Sequence, residues 1–329
     1  MLNSGRGSDG GRVTVTNPKT DPEILAFFSP DAVQICESEA PVSEWPIRMW
    51  CRATGDHNPV YRDRDAARRY GHRDVFAPPG MMHAFTMPGL LDPTHDHLLS
   101  RLRRKLAEYG LNSTVMGKYE QQFITPIRLG DRLTREVRFE SMSDEKATGI
   151  GIGHFIPLVE KIVNQNGEVI GNQRMEVLFF RPGTGKPMDS AAKPAKAAPA
   201  EVRPPGTVEL PPLSIPLTTT LIIAGAVASN DYEPFHHDRD AAHAQGMKDI
   251  FMNVLTSCGF AARYATDWAG PAAVIKSHST RLMASNFPGD MMTFTGTSEA
   301  PFQKGKETKI NLRCTNSLGT HLQSVFTIV

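Results

Sequence analysis

The sequence predicts an α+β fold assembled from two copies of one unit, each a single buried helix followed by an antiparallel meander of strands. Three observations predict it: a gapless internal repeat, an apolar stretch of helix length after each copy, and a strand-patterned sequel to each stretch.

Residues 1–20 open on MLNSGRGSDGGRVTVTNP, which offers little to bury and reads as a flexible tail. It lacks the apolar stretch of a signal peptide, so a cytoplasmic location is expected. The first unit is expected over 21–182. Its repeat core, ATGDHNPVYRDRDAARRYGHRDVF (Ala53 to Phe76), aligns at a constant offset of 175 with ASNDYEPFHHDRDAAHAQGMKDIF (Ala228 to Phe251). Asp56 falls on Asp231, Pro59 on Pro234 and Gly71 on Gly246, and the two DRDAA runs supply Asp63 and Asp238 as candidate helix caps. The apolar stretches Val75 to Leu91 and Ile250 to Trp268 each predict one buried helix. In the first, Pro78 and Pro79 force a late start, because proline is tolerated only in a first turn.

Alternation and aromatic or β-branched enrichment then mark strands in KYEQQFITP, DRLTREVRFESMS and TGIGIGHFIPLVEKIVNQNGEVIGNQRMEVLFFRP. TRLMASNFPGDMMTFTGTSEA and ETKINLRCTNSLGTHLQSVFTIV do the same in the second unit, with Gly130-Asp131 and Gly289-Asp290 as turns at matching places. Residues 183–216 are dense in Pro, Ala and Lys and read as a linker, which leaves 217–329 as the second unit. A helix wrapped by an antiparallel sheet is the hot-dog arrangement, and two in one chain make a double hot dog.

Composition narrows the function classes. Lys plus Arg (36) nearly cancels Asp plus Glu (35), so no nucleic acid or anionic membrane is expected as partner. The longest apolar run, Leu221 to Ala228, is too short to span a bilayer. Cys36, Cys51, Cys258 and Cys314 are scattered, so neither a disulfide framework nor a metal site is expected.

ATGDHNPVY and ASNDYEPFH resemble the hydratase motif of the MaoC-like, R-specific enoyl-CoA hydratases, which runs Asp, x, Asn, Pro, x, His. The second copy keeps Asp231 and His236, with Glu233 where Asn is usual; the first keeps Asp56, Asn58 and Pro59 but has Tyr61 at the histidine position. APPGMM, TMPGL and GIGHF are similar to the larger hydratase subunit of actinobacterial cholesterol side-chain degradation. DYEPFHHDRDAA, DIFMNVLT, RYATDWAGP and TNSLGTH are similar to its small catalytic subunit. The resemblance implies a fusion of two partner subunits acting on a bulky acyl-CoA thioester, with a steroid side-chain enoyl-CoA as the best single guess. It also implies a homodimer, with an aldolase as a further candidate partner, although the zinc-binding module that recruits one has no counterpart in this sequence. No cofactor is expected, because adding water changes no oxidation state; CoA enters only as part of the substrate.

Hydration needs a water deprotonated as it attacks Cβ, a proton delivered to Cα, and stabilised charge on the thioester oxygen. Asp231 and His236, five residues apart around Pro234, are the expected catalytic pair, with the division of labour between them open. An Asp followed by a His in a loop is ordinarily a turn residue beside a surface histidine; the repeat and the motif outweigh that reading here. Asn253 and Val254, where the second helix starts, are the expected substrate contacts through a backbone N–H at the oxyanion. Tyr61, with a reference pKa of about 10, is no ready base, so Asp56 and Tyr61 are assigned a substrate-binding role. His237, one register off the motif, reads as a solvated loop residue, and Met81, Met82 and Met87 read as core. Two other functions fit less well. A noncatalytic acyl-CoA scaffold has no use for His236, and a hot-dog thioesterase would carry its nucleophile or carboxylate on the central helix.

Overall fold

The computed structural model describes residues 17–89, 97–185 and 206–329. The first half contains α1 (Pro22–Leu25), β1 (Gln34–Glu37), α2 (Glu44–Thr54), α3 (Arg64–Arg69), α4 (Leu98–Ala107), β2 (Ser113–Phe123), β3 (Leu133–Phe139), β4 (Lys146–Ala147), β5 (Gly151–Asn164) and β6 (Val169–Pro182). The second contains β7 (Val208–Pro216), α5 (Thr219–Ala228), α6 (Arg239–Ala244), α7 (Val254–Ala269), β8 (Ile275–Leu282), β9 (Met291–Ser298), β10 (Thr308–Asn316) and β11 (Gly319–Ile328). One antiparallel sheet holds them in the order β1-β3-β5-β6-β2-β8-β11-β10-β9-β7, with β4 beside β5. From each edge inward the order is the same, 1-3-5-6-2 against 7-9-10-11-8. The two halves are therefore copies that meet at one seam, where Lys118 pairs with Arg281 and Gln122 with Ser277. This is the double hot dog that the repeat predicts.

The copies share their local bonds. Gly130 N–H donates to the Val42 carbonyl and Gly289 N–H to that of Leu217, 175 residues on, and both turn glycines adopt positive φ, at 87° and 86°. Asp63 caps α3 by accepting from Ala66 N–H at 2.7 Å, and Asp238 caps α6 by accepting from Asp240 N–H at 2.9 Å. Helix α7 is the spine of the second core: Phe260, Ala261, Tyr264 and Ala265 pack beneath Met292, Phe294 and Phe326. Its other side gives Leu255 and Cys258 to the first core, beside Trp50 and Met81.

Four expectations change. The helix expected from Val75 is replaced by two 3-10 turns, Pro79–Met81 and Ala84–Thr86. Proline disfavours a helical conformation in the residue before it, so Pro88 holds Met87 extended at ψ 140° and stops any helix, while Gly80 weakens its start. Leu91, its expected end, lies outside the described residues. The second helix starts at Val254, four residues after Ile250, with Asn253 as its cap. The expected linker stops short of Val208–Pro216, which is an edge strand paired with β9. An edge leaves half its N–H groups unpaired, so Pro211, Pro212 and Pro216 are tolerated there, and the register shifts between Leu210 and Leu213. Residues 186–205 of that linker lie outside the described residues, as do 1–16 of the expected tail, whereas Pro18–Thr20 forms a 3-10 turn capped by Asn17.

All four cysteines are unpaired. Among the described residues no His, Cys, Asp and Glu cluster could hold a metal ion, and no helix is long and apolar enough to cross a membrane.

Candidate active site

After α5 the chain turns at Asn230, whose φ of 53° lies in the left-handed region that asparagine tolerates. Its side-chain amide donates to the Ala84 carbonyl of the first half at 3.1 Å. Asp231 follows, and its Oδ1 accepts from Glu233 N–H at 3.3 Å, an Asx turn that leads into the 3-10 turn Pro234–His236. That turn brings His236 back over Asp231, with Nε2 3.7 Å from Oδ2 and both side chains buried. The gap is too long for a direct hydrogen bond and suits a water shared by the two groups.

The His236 ring stands edge-on to Phe235 and Phe251, and its Nδ1 lies 2.7 Å from the Phe251 carbonyl. A carbonyl only accepts, so Nδ1 carries a proton. Burial pushes the imidazole below its ordinary value, partly offset by the Asp231 charge, which keeps the ring neutral near pH 7. A neutral ring protonated on Nδ1 leaves a lone pair on Nε2, aimed at the gap.

Asn253 fixes the carboxylate. Its amide donates to Asp231 Oδ2 and to Ser229 Oγ, both at 2.8 Å, while its Oδ1 accepts from Thr256 N–H at 2.9 Å. The Asn253 carbonyl accepts from Ser257 N–H. With Thr256 and Ser257 occupied, the first-turn N–H groups of Val254 and Leu255 are left without a partner among the described hydrogen bonds. The structure thus brings Asp231, His236, Asn253 and Val254 together. Asn253 contributes a side chain that holds Asp231, a role that sequence reasoning missed although asparagine before an apolar helix is a recognised cap. His237 is half-buried, with Nε2 3.3 Å from the Tyr232 carbonyl.

In the first half Tyr61 stands edge-on to Phe76, with ring centroids 5.1 Å apart, as His236 does to Phe251. Positions 175 residues before Asn253 and Val254 hold Pro78, which has no amide, and Pro79, which has no N–H. Trp50 stands at the position of Gly225, and its indole packs so closely on Gly259 that an added Cβ there would come within 2.6 Å. The void left among Trp50, Asp56, Tyr61, Pro79 and Gly259 is about 10 Å³, room for about one water. Burial raises the Asp56 carboxyl and, with Asp56 beside it, pushes the Tyr61 phenol well above its ordinary range. Asp56 and Tyr61, the residues expected to bind substrate, are both buried and line that small void.

Residues 32–173 match a family described as FAS1-like, dehydratase domain region. The chain is 44% identical over 113 residues to the 3-oxo-4,17-pregnadiene-20-carboxyl-CoA hydratase beta subunit of Mycobacterium tuberculosis, a match covering 34% of this chain and 86% of that subunit. It is 37% identical over 164 residues to a probable enoyl-CoA hydratase alpha subunit of Thermomonospora curvata, covering 49% of this chain and 51% of that protein, so it spans about half that relative's length. A solved structure described as a MaoC-like dehydratase shares the fold, with a TM-score of 0.65 over 89% of this chain and 97% of that one at 16% identity.

Proposed function

The chain belongs to the MaoC-like enoyl-CoA hydratase family, and from that premise we propose that it adds water across the double bond of a 2-enoyl-CoA thioester at Asp231 and His236. The observation that carries the reading is the 3.7 Å gap between two buried groups, a carboxylate held by Asn253 and an imidazole whose Nε2 is left as an acceptor by the Phe251 carbonyl.

A water in that gap loses a proton to Nε2 as its oxygen bonds to Cβ. The π electrons move toward the thioester, whose oxygen takes up negative charge facing the free N–H groups at the start of α7. The imidazolium then returns the proton to Cα, so the product is a 3-hydroxyacyl thioester and the ring is neutral again. Asp231 orients the water and stabilises the transient imidazolium. The reaction changes no oxidation state and asks for no redox cofactor; CoA belongs to the substrate.

The substrate class is a bulky acyl group, with a steroid side-chain enoyl-CoA hydrated to a 17-hydroxy product as the specific form. Support comes from the named substrate of the mycobacterial relative and from the Asn230 bond to Ala84, which sets the irregular segment of the first half against the catalytic loop. A spectrophotometric assay tests the reading: loss of enoyl-thioester absorbance without release of thiol is expected. Released thiol would mean a thioesterase, and no change on any enoyl-CoA from crotonyl to steroidal would mean a binding scaffold. Bulky thioesters should give the higher kcat/KM; equal or better values on crotonyl-CoA would overturn the substrate class.

A further inference from the structure

We infer that Ser257 and His321 are positioning residues that set the spacing of the Asp231–His236 pair, an inference that rests on the hydratase reading of that pair. His321 lies near the start of β11, at the end of the TNSLGTH stretch, and is buried. Its Nδ1 lies 2.6 Å from the Ala284 carbonyl, so that nitrogen carries a proton, and its Nε2 lies 3.0 Å from Ser257 Oγ. Ser257 sits in the first turn of α7, 1% exposed, with its Oγ 2.9 Å from the Asn253 carbonyl.

The imidazole therefore ties together two segments, and each segment supports one member of the catalytic pair. Toward α7, the Ser257 hydroxyl donates to His321 Nε2, the Ser257 N–H donates to the Asn253 carbonyl, and the Asn253 amide donates to Asp231 Oδ2. Toward Ala284, the loop that follows β8 reaches Asn286, whose carbonyl accepts from Met252 N–H at 3.0 Å, one residue from the Phe251 carbonyl that holds His236. Moving one segment against the other changes the 3.7 Å gap without touching either group in it. A buried hydroxyl and imidazole are costly to keep in a core unless bonded, and apolar side chains of similar shape would fill the space equally well. Their bonds, not their volume, are what this place in the fold uses.

The test is a double-mutant cycle on the full chain with Ser257→Ala, His321→Asn and the pair together, since the asparagine amide still reaches toward the Ala284 carbonyl but not toward Ser257. Each single change should lower kcat about tenfold, the scale of a small misplacement of reacting groups. KM should stay within about twofold, because substrate binding is not involved. The double variant should lose no more than either single one, because both break the same link. Ring nitrogen NMR supplies a readout independent of turnover: the His236 ring resonances should move in both single variants. Losses that multiply, kcat within about twofold of the parent in both singles, or unmoved His236 resonances would overturn the inference. If the parent protein hydrates no enoyl-CoA, the hydratase reading fails and the NMR arm alone decides the positioning role. If His321→Asn does not fold, Ser257→Ala decides it by the same two readouts.

Discussion

Gly55 and Asn230 both turn in the left-handed region, at φ 64° and 53°, and in each half the aspartate that follows accepts an N–H from the residue two places on. Beyond that point the halves part. His236 has a phenol opposite it in Tyr61, the Asn253 amide has Pro78, the Val254 N–H has Pro79, and the space beside Gly225 is filled in the first half by the Trp50 indole. The pleat, the seam order and the edge-on aromatic pair survive these changes, because they depend on backbone bonds and ring volume. The imidazole, the side-chain amide and the helix N–H do not survive them. A hot-dog half can therefore keep its fold and its aspartate while losing the groups that work beside that aspartate in the other half.

The largest effect that would break this comparison is at the aspartates. Asp231→Asn should lower kcat by at least about a hundredfold with little change in KM, the scale of lost acid/base help. Steady-state kinetics on one enoyl-CoA checks it, with Asp56→Asn alongside as the change that should leave turnover largely intact. Asn253→Ala should come next, with kcat lower by about tenfold as Asp231 loses its amide donor. The lost cap should also cost about 1 kcal/mol of stability, read by denaturant melts.

Acid sharpens the comparison further. Burial holds His236 below its ordinary 6.5, so the acid limb of kcat/KM should fall at a pH below 6.5, where the ring takes a proton and can no longer accept one from water. The same depression ties stability to pH. The unfolded chain binds that proton first, so the contribution of His236 to stability is full above 6.5 and is lost as pH falls toward the folded value. Melts at stepped pH in parent and His236→Gln protein measure that difference. The smallest effect is a null one: adding Tyr61→His to a His236→Ala background should restore no turnover, since Pro78 and Pro79 still supply neither amide nor N–H. Recovery of activity in that double variant, assayed on the same thioester, would break the comparison outright.

Much of this was legible in the chain because the repeat is gapless through the site. The offset of 175 carries Asp56 onto Asp231 and Tyr61 onto His236, and the turn around Pro234 is enough to close five residues into one place. What sequence reasoning missed has physical causes. Val208–Pro216 reads as linker because its prolines forbid a central strand, and only the edge position makes them harmless. Pro78 and Pro79 announce a delayed helix, but Gly80 weakens its start and Pro88 holds Met87 extended, so the segment settles into two 3-10 turns. Trp50 gives no sign in sequence that it closes the first-half site, because that depends on Gly259 from the other half lying against it. His321 is a lone histidine in a strand pattern, and its link to Ser257 spans sixty-four residues of chain.

The most direct test of the central claim is kcat for His236→Ala beside kcat for Tyr61→Phe, measured on the same bulky enoyl-CoA. The account predicts a fall of at least about a hundredfold for the first and a value within about twofold of the parent for the second. Near-normal turnover in His236→Ala together with a large loss in Tyr61→Phe would place the chemistry in the first half and contradict it.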